Sequence, residues 1–137
     1  MRFERKTVTL QARQMHPLFA AEITGFDMRR DTDPASVAAL VDALNEYAVC
    51  SVMHDAPLTD DEHIAFSALL GPMDRAKVPK IAGTGIRVPR VEIVDQSNLD
   101  QHGNIYPDDD RRLMYKRANR LWHTDMSFYE IRATWSL

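Results

Sequence analysis

Cysteine is nearly absent from this sequence: Cys50 stands alone in the apolar run YAVCSVM, so no internal disulfide can form and a zinc site built on thiolates is excluded. No segment approaches the roughly 20 apolar residues that cross a bilayer. The opening stretch MRFERKTVTLQAR alternates charged and apolar residues instead of forming the apolar core of a signal peptide. Basic excess is also missing, since 17 Lys and Arg against 20 Asp and Glu leave a net charge of −3. A mildly acidic surface gives no electrostatic footprint for nucleic acid or an anionic membrane. There is no internal repeat and no low-complexity tract. What is present is ordinary, 137 residues that are 45% hydrophobic and 27% charged, long enough to bury a core. A cytoplasmic protein that handles small molecules or protein partners is expected.

The N-terminal half carries clear local signals. KTVTLQA, residues 6–12, alternates and is rich in β-branched residues, which predicts a half-buried strand. AEITGFDM predicts a second extended piece, with Gly25 marking a bulge or a close backbone approach. In DPASVAALVDALNEYAV, Asp33 can cap, Pro34 suits the first helical position, and Val37, Leu40, Val41, Leu44 and Tyr47 recur at helical spacing. AVCSVM reads as a buried strand. LTDDEHIAFSALLG opens with Thr59 and Glu62 at capping-box spacing, offers Ile64, Phe66, Leu69 and Leu70 as its apolar set, and stops at Gly71. The expected order is therefore strand, strand, helix, strand, helix.

Beyond Gly71 the pattern loosens. PMDRAKVPKIAGTGIRVPR reads as a loop, VEIVD as a short strand, and SNLDQHGNIYPDDDRR as a second polar loop with turn signals at HGN and PDDD. From Asn119 onward the chain reads as two strands joined by a turn near residues 129–132.

The segment RLWHTDMSF holds a histidine and an aspartate two residues apart. On a strand, His123 and Asp125 point to one face together with Leu121 and Ser127, while Trp122, Thr124, Met126 and Phe128 face the core. Spacing alone is weak, because five histidines and 20 acidic residues give about 0.7 such pairs by chance. Two readings stand: a histidine hydrogen-bonded within a sheet, or two ligands of a metal ion. One imidazole and one carboxylate, completed by a distant histidine, make the facial triad of non-haem Fe(II) oxygenases.

NRLWHTDMSF resembles the metal-binding signature of the TauD/TfdA family of Fe(II)- and 2-oxoglutarate-dependent dioxygenases, in wording closer to the 2,4-dichlorophenoxyacetate dioxygenase branch than to the taurine branch. HPLFAAEITGFDMR, YAVCSVMHDAPLTDDEHIAFSALLGPMD and QSNLDQHGNI resemble other family segments, in family order. The resemblance implies a mixed α/β, mainly β fold, the N-terminal part of a double-stranded β-helix (jelly-roll) with flanking helices, in a single incomplete domain spanning 1–137. It implies Fe(II) as cofactor, 2-oxoglutarate as cosubstrate, and dioxygen and a small anionic organic molecule as the other partners. In the phenoxyacetate branch, hydroxylation beside the ether oxygen yields a hemiacetal that falls apart to a phenol and glyoxylate.

Carried over residue by residue, the resemblance makes His123 and Asp125 metal ligands and places Asn119 in the substrate and cosubstrate pocket. Ser127 could hydrogen-bond a substrate carboxylate, and Lys77 or Lys80 could meet an anionic substrate. Trp122 is expected in the core, His54 and His63 facing solvent or capping, and His102 in a structural turn. The family's third ligand, in a His-Arg-Gly motif, and the arginine that holds 2-oxoglutarate have no counterpart in the sequence. The expectation is therefore the N-terminal portion of a longer enzyme, inactive and poorly soluble alone, with homo-oligomers at full length. A taurine or alkylsulfate dioxygenase of the same family and a non-catalytic interaction module are the alternatives.

Overall fold

The computed structural model describes residues 9–74, 87–117, 120–127 and 129–137. The backbone divides into two compact units, residues 1–72 and 73–137. Among the described residues of the first, the expected element order appears: β1 (Gln11–Gln14), β2 (Ala21–Thr24), α1 (Pro34–Tyr47), β3 (Cys50–Val52) and α2 (Asp60–Ser67).

The three strands form one sheet in the order β1-β2-β3. β1 pairs antiparallel with β2, Gln14 opposite Ala21 and Gln11 opposite Thr24. β3 pairs parallel to β2, Ala21 opposite Cys50 and Ile23 opposite Val52, so α1 serves as the crossover that parallel neighbours require. The first strand starts later than the alternation predicted, at Gln11, and residues 6–8 of that prediction lie outside the described residues. Period two is visible in β2, where Ala21 and Ile23 are buried while Glu22 points to the opposite face. There Glu22 accepts from the Arg13 guanidinium of the neighbouring strand at 2.8 Å.

Ala21, Ile23, Phe26, Leu40, Ala43 and Phe66 make the core. Phe26 and Phe66 meet edge to face, centroids 5.8 Å apart, an arrangement that aromatic quadrupoles favour. In α1 the deepest stripe is Ser36, Leu40 and Ala43, with Val37, Leu44 and Tyr47 partly buried beside it. Leu40 was singled out by the apolar periodicity, whereas the small residues Ser36 and Ala43 were not. Asp33 caps it as expected, accepting from the Ser36 N–H at 3.1 Å. β3 is only half-buried, a correction to its reading as a buried strand, because it forms a sheet edge.

Gly25 is where the sequence placed a close approach. Its φ is +71°, and a Cβ there would lie 2.4 Å from the Thr9 carbonyl oxygen. α2 closes its capping box: the Thr59 hydroxyl accepts from the Glu62 N–H at 3.3 Å, and Glu62 accepts from the Thr59 N–H at 2.8 Å. The helix ends at Ser67, four residues before Gly71.

His54 departs from its predicted exposure. Its side chain is 11% exposed, with Nδ1 3.6 Å from Asp27 Oδ1. Its Nε2 is covered and finds no hydrogen-bond partner among the described residues. Asp27 closes the turn after β2 by accepting from the Arg29 N–H at 2.9 Å, and that bond, with Arg30 and Arg29 nearby, holds its carboxyl below the usual range. The Arg29 guanidinium donates to the Ala56 and Pro57 carbonyls at 2.6 and 3.0 Å and pairs with Glu62 at 3.3 Å. It ties the β2–α1 turn to the entry of α2.

In the second unit, 91–95 is not a strand; Ile93 N–H reaches back to Arg90 O in a turn, and Val91 and Val94 stay exposed. With no partner strand among the described residues, alternation has no ladder to join. Arg87 instead grips Asp95 with a two-pronged contact at 2.8 and 2.7 Å, holding that carboxyl far below its ordinary value. The HGN turn forms as predicted: the Asp100 carboxylate accepts from the His102 and Asn104 N–H groups at 2.8 Å, and Leu99 bridges to Ile105.

One element was not predicted, the helix α3 (Arg111–Arg117). Asp110 starts it by accepting from Arg112 N–H at 2.8 Å. An Asp immediately before a helix was the available signal, but the run is only seven residues and lacks an apolar stripe. Helix and strand are both present, as the mixed class requires. The strand majority does not appear among the described residues, because the two C-terminal strands do not form there.

Candidate functional site

The local chain decides the geometry around His123. Residues 122–124 carry no regular structure and 125–127 form a turn, so the predicted strand does not appear among the described residues. Met126 has φ +54°, and the Tyr129 N–H donates to Met126 O at 3.0 Å, closing the turn. Strand alternation therefore does not organise this segment, and Trp122, expected in the core, is fully exposed.

The two predicted ligands nevertheless converge. His123 Nε2 and Asp125 Oδ1 are 3.1 Å apart, with side chains 46% and 78% exposed. On the other side of the ring, His123 Nδ1 lies 2.7 Å from the Leu121 carbonyl oxygen. A carbonyl only accepts, so Nδ1 carries a proton and donates to it. In the neutral imidazole this leaves a lone pair on Nε2. That lone pair faces a carboxylate oxygen. Two acceptors so close are reconciled by a proton or a metal cation between them.

The donor set fits a divalent cation. Nitrogen and oxygen ligands bind such ions at about 2.1 Å, so two at right angles around one ion sit about 3 Å apart. The Leu121 carbonyl also supplies the hydrogen bond that commonly fixes the orientation of a metal-ligating histidine. No third His, Cys, Asp or Glu joins the pair among the described residues.

Ser127 lies exposed in the turn. Asn119, Lys77 and Lys80 fall outside the described residues. The features that sequence reasoning missed are the Leu121 carbonyl and the positive φ of Met126. A backbone acceptor leaves no mark in the sequence, and a methionine, unlike glycine or asparagine, gives no hint of left-handed backbone.

Residues 11–137 match the family described as "Taurine catabolism dioxygenase TauD, TfdA family". The chain is 31% identical over 130 residues to the alpha-ketoglutarate-dependent 2,4-dichlorophenoxyacetate dioxygenase of Cupriavidus pinatubonensis (strain JMP 134 / LMG 1197), covering 95% of this chain and 45% of that protein. It is 28% identical over 130 residues to the enzyme of the same name from Burkholderia sp. (strain RASC), covering 95% of this chain and 43% of that protein. The fold is similar to the crystal structure of AAD-2 in complex with Mn(II) and N-oxalylglycine, with a TM-score of 0.67 and 28% identity over 88% of this chain and 38% of that one. The chain thus spans less than half the length of the curated relatives it matches.

Proposed function

This chain belongs to the TauD, TfdA family of dioxygenases, and we propose that it contributes two ligands of an Fe(II) centre to a 2-oxoglutarate-dependent dioxygenase acting on a small anionic aryloxyalkanoate. The observation that carries the reading is the His123 Nε2 to Asp125 Oδ1 separation of 3.1 Å, inside a segment that the family match covers. The relatives' named activity on 2,4-dichlorophenoxyacetate supports the substrate class, and Mn(II) in the solved relative supports a divalent cation. Both units belong, in this reading, to one domain. The reading requires a third ligand and an arginine for 2-oxoglutarate beyond the two ligands named, as part of a jelly-roll core.

The metal, when bound, would bring 2-oxoglutarate and dioxygen together at the substrate. The chain's own part is positional. Leu121 O holds the His123 ring with Nε2 presented, Asp125 adds a charged oxygen beside it, and both stay accessible to small ligands. Asn119 and Ser127 would line the pocket, and Lys77 or Lys80 would meet the substrate's carboxylate. No helix among the described residues is long and apolar enough to cross a membrane.

Calorimetric titration with Mn(II) tests the site. Weak binding, lost in both His123→Ala and Asp125→Ala, is expected; binding retained in both variants would refute the assignment. On a chain extended to its relatives' length and given Fe(II) and 2-oxoglutarate, succinate should form with phenoxyacetates. Turnover of taurine instead would move the protein to the sulfonate branch.

A further inference from the structure

We draw no further inference here: the strongest candidate, the surface patch of exposed apolar side chains Leu121, Trp122 and Ile131 on the segment that carries His123 and Asp125, carries nothing because nothing in the structure shows what covers it.

Discussion

Ala48 follows the last turn of α1 with φ +63°, a region that L-residues other than glycine enter at a cost. Its N–H is nonetheless held by Leu44 O at 2.9 Å, so the hydrogen bond, not the side chain, keeps it there. Ala48→Gly should therefore stabilise the first unit, by about 0.5–1 kcal/mol once the strain relieved is set against the entropy added to the unfolded chain. A urea midpoint equal to or below that of the unmodified protein would contradict this. Gly25 is the reverse case. With φ +71° and a would-be Cβ 2.4 Å from Thr9 O, Gly25→Ala must displace the stretch leading into β1, which Thr9 anchors through a 2.7 Å bond to Gly25 O. A loss of about 2 kcal/mol is expected from strain of this kind, together with faster amide exchange in β1. Gly25 was legible because a glycine inside an extended run weakens the strand and so marks a place where the backbone has to bend or be approached closely. An alanine after a helix carries no such signal, and nothing in the sequence marked Ala48.

At the level of elements, α2 is the one most dependent on its cap. Eight residues are too few for a stable helix in water, and Phe66 is its only buried side chain among the described residues. Its acidic first turn, Asp60, Asp61 and Glu62, complements the positive end of the helix dipole, and the capping box satisfies two otherwise orphaned N–H groups. Thr59→Ala should cost about 1 kcal/mol. Circular dichroism and thermal melting would check it, and an unchanged melting temperature would mean that Arg29 and Phe66 suffice to hold the helix. These caps were readable because they depend on residues three apart. Among the described residues, the strands expected at 91–95 and after Asn119 do not form, for the opposite reason: a strand exists only with a partner, and period-two patterning carries no information about whether one is available.

On the scale of the whole molecule, carboxylates in both units are held below their ordinary values: Asp27 by the Arg29 N–H, Glu62 by the Thr59 N–H, Asp95 by Arg87 and Asp100 by the Asn104 N–H. Asp110, gripped by Arg112 at 2.9 and 2.6 Å, is brought from 3.8 down to about 2. A depressed folded-state value means stability that is present above the unfolded value and lost as pH falls through the folded one. The protein should accordingly lose stability on acidification from about pH 4 downward. In Asp110→Asn the neutral-pH stability should be slightly lower than in the unmodified protein, and the two should converge as pH falls from about 4 to about 2. Urea melts across that range would show it; a gap that stays constant with pH would remove Asp110 from the acid limb. The effect is small because Asp110 is only partly buried and its partner Arg112 is open enough for solvent to screen the pair.

What the sequence determined by itself is the order of elements in the first unit, both helix caps there, the Gly25 approach and the HGN turn. The caps and the HGN turn rest on neighbours within a few residues, where sterics and hydrogen-bond stoichiometry leave few options. Only the tertiary structure decided that His54 is enclosed beside Asp27 and that Arg29 reaches the Ala56 and Pro57 carbonyls. It also decided that small residues, Ser36 and Ala43, share the buried face of α1 with Leu40. Those outcomes depend on segments far apart in the chain meeting in space. The His123–Asp125 pair belongs to both levels. Residue type proposed it on the assumption of a strand, and the folded chain brought the donors together through a turn, because the distance between two side chains depends on backbone dihedrals that residue spacing alone leaves open.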